Sequence, residues 1–208
     1  MPEQNIKDIY QIGTFKFRSP YKIKVSENTH SIGSKTEIIE LLNPRDIKQL
    51  RDQAYKILHI GAIQVAVKPL TWIGLNKPIC VCCRDARHNN FDDSLLRVME
   101  SNIAHGLIYF NCLLDLELSC INDMSIHKAL TLNVQTKGYD MDLRAKNIII
   151  VYRIYYKVIT TSVNAKCLLK SPKGKTLLFQ ANEEHSSVMT LEEIPWESLT
   201  HSNTWNFT

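Results

Sequence analysis

The sequence predicts a mainly β protein, an antiparallel β-sandwich with one or two helices near the N-terminal half. Seven or more segments carry the alternating or continuous apolar pattern of strands. The helical signals come early, and strands then follow strands without helices between them, which argues against a doubly wound α/β sheet. With 208 residues, 44% of them hydrophobic and 22% charged, the chain is long enough to bury a proper core.

Taken in order, residues 13–25 (GTFKFRSPYKIKV) alternate apolar and basic side chains on either side of Ser19-Pro20. They read as two short strands with a break, because proline cannot donate to a ladder. A helix signal follows. Asn43 is a capping residue, Pro44 suits the first helical position and Asp46 sits in the first turn. Ile47, Leu50, Ala54, Ile57 and Leu58 then recur at helical spacing, and Gly61 is expected to stop the helix. HIGAIQVAVKPL reads as a strand ended by Pro69, with Ile63, Val65 and Val67 facing one way and Gln64 and Ala66 the other. Pro78 precedes a second strand over 79–84. DDSLLRVMESNIAHG reads as a short helix capped by Asp92 or Asp93 and closed at Gly106. Strands are then expected over 107–119, 129–136, 147–160, 165–169 and 176–180, with a turn at 171–175 between the last two. NIIIVYRIYYKVIT is long and rich in β-branched and aromatic residues, so a central place in a sheet is predicted. LEEIPWESLTHSNTWNFT has no clear period. The expected organisation is an N-terminal extension with short strands (1–40), a β core (41–182) and an acidic tail (183–208).

No run approaches the roughly 18 apolar residues of a membrane-spanning helix. The longest, 148–152, soon ends at Arg153. MPEQNIKDIY lacks the apolar core of a signal peptide, and six cysteines without such a signal point to reduced thiols in an intracellular protein. Charge is uneven although the net is only +4. Residues 137–175 hold nine Lys and Arg against Asp140 and Asp142, a net of +7, whereas 176–208 holds five Glu and no cation, a net of −5. Two readings stay open: two solvated faces, or a polyanion-binding face with an acidic tail.

ICVCCRDARHNN holds the densest group of reactive side chains. A structural zinc site takes two ligands from a C-x2-4-C knuckle and two from a second element. Here the spacing is C-x-C-C: on a strand Cys80 and Cys82 share one face and Cys83 takes the other. His88 adds one more candidate, but Cys112, Cys120 and Cys167 are solitary, so packing is expected and no metal or cofactor. No Walker loop, dinucleotide fingerprint, G-x-S-x-G or HExxH occurs, and no histidine stands in a recognisable frame to activate a cysteine. Asp85, Asp92, Asp93 and Glu100 could in principle bind magnesium for a nuclease; more often such residues cap helices and pair with cations such as Arg84, Arg87 and Arg97. Catalysis is not expected. Tyr152, Arg153, Tyr155, Tyr156 and Lys157 interleave rings with cations, the chemistry that single-stranded nucleic acid requires. The plainer reading puts Tyr152, Ile154 and Tyr156 in the core, with Arg153, Tyr155 and Lys157 merely facing solvent.

The order HIGAIQVAVKPL, CRDARHNNFDDSLL, ESNIAHGLIYFNC, a Gly-Tyr-Asp-Met stretch and VYRIYYKV resembles the cell-to-cell movement proteins of plant viruses, the 30K superfamily. The particular flavour looks like the movement domain at the front of plant pararetrovirus polyproteins (caulimovirus and badnavirus relatives), over roughly residues 40–200. The resemblance implies a β-barrel or jelly-roll-like core similar to small viral capsid domains. It implies sequence-independent nucleic-acid binding, homo-oligomeric assembly, often as a tubule, and targeting to plasmodesmata on the cytoplasmic side of the cell periphery. Virion or coat protein, host plasmodesmal proteins and a peripheral membrane contact are the further partners it implies. The family's characteristic aspartate falls on Asp85, and its glycine before the YRI strand on Gly138. The pattern departs at Arg97, Leu107 and Leu113-Leu114, where glycine, proline and Tyr-Pro are more usual. Arg144, Lys146, Arg153, Lys157, Lys166, Lys170, Lys173 and Lys175 form the expected phosphate-facing set. Asp85 is expected to accept backbone N–H bonds and pair with an arginine, fixing the loop that follows. The rival expectation is a capsid-like assembly protein that docks virions or forms tubules without touching nucleic acid, which the −5 tail favours.

Overall fold

Apolar alternation becomes ten strands in the computed structural model, among the residues it describes (1, 4–10, 21–71, 75–138, 146–161, 177–181 and 191–195). They are β1 (Tyr21–Ile32), β2 (Thr36–Glu40), β3 (Ile57–Pro69), β4 (Pro78–Asp85), β5 (Leu95–Asn102), β6 (Ile108–Ser119), β7 (Leu130–Thr136), β8 (Ile148–Ile159), β9 (Leu177–Ala181) and β10 (Leu191–Pro195). One sheet has the order β1-β8-β3-β6, the other β10-β9-β5-β4-β7-β2. All pairs are antiparallel except β5 with β9. Counting the first eight strands along the chain, the sheets read 1-8-3-6 and 2-7-4-5. That is the strand order of a jelly roll, two Greek keys wound into two facing sheets.

The core lies between the sheets. Ile63, Val65 and Val67 of β3 and Ile150 and Ile154 of β8 meet Val81, Cys83, Met99, Leu132 and Val134 from the other sheet. β8 pairs with β1 on one side and β3 on the other, the central position that its composition predicts. β1 and β2 come from the segment set apart as an extension, yet each supplies an edge strand to a sheet, β1 against β8 and β2 against β7. β10, in the stretch without period, pairs with β9. The strands expected over 13–20 and 165–169 and the turn at 171–175 lie outside the described residues.

Two helix expectations are corrected. The first helix, α2 (Pro44–Asp52; the shorter α1 precedes it at Ile6–Ile9), starts as expected, with Asn43 Oδ1 accepting from Arg45 N–H at 2.9 Å. It ends near Gln53 because Ala54 turns left-handed at φ +62°. Ile57 and Leu58 belong to β3, where Leu58 pairs with Leu118 and Val158 at once. Flanking strands on both sides outweigh a helical period carried by few residues. Gly61 is no helix stop: it sits within β3 where the register shifts between Ile60 and Ala62. The second expected helix is mostly a strand. Asn90 caps the four-residue α3 (Phe91–Ser94), β5 follows, and a 3-10 turn (Ile103–His105) closes on Gly106. Val98 and Met99, adjacent and both buried, show that β5 is covered on both faces, so its sequence alternates too little to announce a strand.

A smaller apolar cluster covers the outer face of the first sheet. Ile9 and Tyr10, at the end of α1, pack on Ala62 and Tyr155, with Ile6, Ile23 and Leu113 around them.

Candidate nucleic-acid interface and the Asp85 loop

β4 delivers Asp85 to one end of the sandwich, opposite Leu130 of β7 and only 3% exposed. A carboxylate buried at a strand end must find donors, and it finds them two residues ahead. Oδ1 accepts from the Arg87 main-chain N–H (3.2 Å) and Nε (2.8 Å), and Oδ2 from Nη2 (2.7 Å). His88 Nε2 stands 3.7 Å from Oδ2. The loop is tied down further by Ala86 N–H to Ala129 O (2.8 Å), His88 N–H to Asp85 O (3.2 Å) and Arg87 Nη1 to Glu117 O (3.4 Å). Burial pushes the Asp85 carboxyl up, but the Arg87 hydrogen bonds and charge outweigh it and hold the group below its ordinary 3.8. The magnesium cluster is not assembled: Asp92 and Asp93 lie in α3, Glu100 pairs with Cys80 midway along β4, and no three His, Cys, Asp or Glu among the described residues are placed to hold a metal.

The cysteines alternate as a strand requires. Cys83 faces the core, while Cys80 and Cys82 share the other face with sulfurs 4.0 Å apart, and all three are buried. Burial and the neighbouring Cys80 push the Cys82 thiol well up; a hydrogen bond with Cys112 and burial do the same at Cys83. Such thiols stay protonated and act as small packing groups.

The cation-bearing face of β8 is not open to a phosphate. Tyr152 and Ile154 enter the core and Tyr156 packs against it. On the other face Arg153 is paired with Glu27 through Nε (2.8 Å) and Nη2. The Lys157 ammonium lies 4.6 Å over the Tyr10 ring and 4.5 Å over the Tyr21 ring, at 8% exposure. Tyr155 donates to Gln64 Oε1 (2.8 Å) and accepts from Gln4 N–H (3.1 Å). Arg153 and Lys157 therefore leave the phosphate-facing set, because Tyr10 at the end of α1 and the Tyr21 and Glu27 side chains of β1 already engage them. Arg144, Lys166, Lys170, Lys173 and Lys175 lie outside the described residues. Lys146 is exposed.

Lys146 has company that the linear charge count does not show. The β1–β2, β3–β4, β5–β6 and β7–β8 connections meet at the end of the sandwich opposite Asp85. Main-chain bonds lace them together: Thr136 N–H to Lys35 O (2.8 Å), Lys137 N–H to Pro78 O (3.2 Å), Ile103 N–H to Lys77 O (3.0 Å) and Leu70 N–H to Asn147 O (2.7 Å). Lys35, Lys68, Lys77, Lys137 and Lys146 thus share one end, the first, second and last of them exposed and the other two half-exposed. Gly138, at φ +60°, turns the chain beside them; a Cβ there would lie 3.5 Å from Lys77 Nζ. The described residues of these connections hold no carboxylate, and the sequence adds Asp140 and Asp142 in the β7–β8 connection, outside the described residues. Glu37, at the start of β2, is turned onto His30 Nε2 (2.5 Å) and Gly33 N–H (3.1 Å). The signal was present but scattered: Lys68 and Lys77 each precede a proline, Lys137 precedes Gly138 and Lys35 follows Gly33-Ser34, so four of the five cations stand beside a turn residue near a strand end.

A family described as "MP: Viral movement protein (MP)" matches residues 14–168. A movement protein of Soybean chlorotic mottle virus is 30% identical over 100 residues, 48% of this chain and 32% of that protein, so the chain spans less than half of that relative's length. Among solved structures, one of turnip yellow mosaic virus is similar with a TM-score of 0.44 and 10% identity, over 73% of this chain and 98% of that one. One of Desmodium yellow mottle tymovirus gives 0.45 and 9%, over 83% and 95%. A Macrobrachium rosenbergii nodavirus semi-empty VLP gives 0.46 and 8%, over 75% and 100%.

Proposed function

Because the chain belongs to the viral movement protein family, we propose that it binds nucleic acid without sequence specificity and self-assembles at plasmodesmata to carry virus from cell to cell. The observation that supports the binding step is the gathering of Lys35, Lys68, Lys77, Lys137 and Lys146 at one end of the jelly roll. Lysines spread over one strand end and three connections present no fixed array for reading bases, but they can replace counterions along a flexible phosphate chain. In sequence the same connection, between Lys137 and Lys146, also holds Arg144 together with Asp140 and Asp142.

The test is a titration of an unstructured single-stranded oligonucleotide at several salt concentrations. Binding should weaken steeply with salt, with a log–log slope of roughly −0.7 per phosphate neutralised. Replacing the five lysines by alanine should flatten that slope by about 3.5 units. Affinity indifferent to salt, or to these substitutions, would sink the reading. For the assembly step, a green-fluorescent fusion in leaf epidermis should give wall puncta or protruding tubules; diffuse cytoplasmic signal would count against it.

The −5 stretch from 176 onward favours a second reading, in which the chain is a capsid-like assembly protein that never touches nucleic acid. Tubules that form in a five-lysine variant as in wild type, with no oligonucleotide bound by either, would select it.

A further inference from the structure

We propose that Gln4–Tyr10 is an exchangeable joint: the seat it occupies on the outer face of the first sheet also accepts the same segment from a second copy of this chain. This rests on the self-assembly reading and names a surface through which assembly runs.

The seat is built rather than incidental. β3 shifts register between Ile60 and Ala62, and the residue between them is Gly61. A Cβ at Gly61 would stand 2.6 Å from Ile9 Cγ2 and 2.6 Å from the Tyr10 ring, so the glycine is what admits these two side chains. Tyr10 is fully buried there although it lies outside the sandwich core. Its hydroxyl donates to His59 O (2.9 Å), its ring meets the His59 imidazole edge-on at 5.7 Å, and the Lys157 ammonium caps it at 4.6 Å. Gln4 N–H donates to the Tyr155 hydroxyl at 3.1 Å.

These contacts are non-local. Tyr10 reaches His59 across 49 positions and Gln4 reaches Tyr155 across 151. A helix of four residues does not hold itself together, so the shape of α1 is imposed by the seat. Ten residues separate Tyr10 from Tyr21. They span at most about 35 Å when extended, against a radius of gyration of about 17 Å for a domain of this length. A neighbouring seat is therefore within reach. The contacts are the same whether the segment comes from its own chain or from a second copy, so exchange sacrifices none of them, and local concentration decides between the two.

The test pairs two full-length variants. Ile9→Ser/Tyr10→Ser keeps the seat but spoils the segment; Gly61→Val keeps the segment but blocks the seat. Light scattering after size exclusion should show each alone as a monomer and the equimolar mixture at twice the monomer mass. A mixture in which both stay monomeric while folded by circular dichroism overturns the proposal. Should Gly61→Val not fold, a peptide of residues 1–12 titrated onto Ile9→Ser/Tyr10→Ser should bind saturably, and the same peptide with Tyr10→Ala should not; equal or absent binding of both overturns it. Wild type that self-associates while the mixture does not removes the exchange and leaves the assembly reading standing. Wild type that stays monomeric while the mixture pairs is the closed form at that concentration; it supports the exchange and leaves the assembly reading to the leaf-epidermis fusion.

Discussion

Asp85 is a charge nine-tenths withdrawn from water, held by a guanidinium two residues along the same chain. Arg87, 39% exposed, can be rehydrated when its partner's charge is lost, so the cost of neutralising Asp85 is set by the hydrogen bonds lost at the buried carboxylate. Asp85→Asn keeps the shape and one acceptor, and is expected to lower unfolding stability by about 1–2 kcal/mol in urea titrations at neutral pH. The pH dependence gives a sharper reading. Asp85 titrates lower in the folded protein than in the unfolded chain, so its contribution is complete above about 3.8 and is lost as pH falls through the lower folded value. The acid limb of the stability curve below pH 4 should therefore flatten in Asp85→Asn; a limb of unchanged steepness would mean the pair is energetically silent. Gly138 is a different case. At φ +60° any other residue is strained, whereas the nearest side-chain atom, at 3.5 Å, leaves room for a Cβ. Gly138→Ala should cost about 1–2 kcal/mol in thermal or urea unfolding, with no loss of core packing.

Elements were legible where a strand alternates or where a cap sits in plain sequence, as in β3, β4, β6, β7 and β8 and at the start of α2. They were not legible where neighbours decide. β5 is buried on both faces, at Val98 on one and Met99 on the other, and its bracketing by α3 and a 3-10 turn gives it the outline of a helix. The overlong first helix fails for the same reason, since Ile57 and Leu58 are claimed by strands on both sides. The covering of β8 by α1 was invisible, because a four-residue helix leaves no period to read. That contact has its own titration. His59 lies between Tyr10 and Asp115, with Asp115 Oδ1 2.9 Å from Nε2. Burial pushes its pKa down from 6.5; Asp115 and, less strongly, Glu117 on β6 oppose this, and Lys157 on β8 adds to it. The unfolded chain then takes up a proton before the folded one does, so stability falls as pH drops below about 6.5. Urea midpoints at pH 7.5 and 5.5 should differ in wild type and converge in His59→Gln, whatever that variant's absolute stability. Equal pH sensitivity in both would place the titrating group elsewhere.

At the scale of the whole molecule, the +7 count over 137–175 directed attention to a contiguous segment, whereas a jelly roll collects its charges by end. Alternate connections meet at one end and the rest at the other, so lysines far apart in sequence become neighbours, and Asp85 with its arginine loop goes to the opposite pole. No linear window can show that. The five glutamates after 176 bear on the same field, two of them, Glu192 and Glu193, on β10 at the edge of the second sheet. Truncating the region would remove that strand and confuse charge with folding. Replacing Glu183, Glu184, Glu192, Glu193 and Glu197 by glutamine keeps the chain length and removes only the −5. If these carboxylates and a bound phosphate chain share one field, oligonucleotide affinity should rise several-fold at about 0.05 M salt and the gain should shrink as the Debye length falls to about 3 Å near 1 M. A gain that persists at high salt would point to a conformational effect instead. No gain at any salt, with oligonucleotide binding absent in wild type as well, would leave the glutamates facing other copies of the chain and favour assembly without nucleic acid.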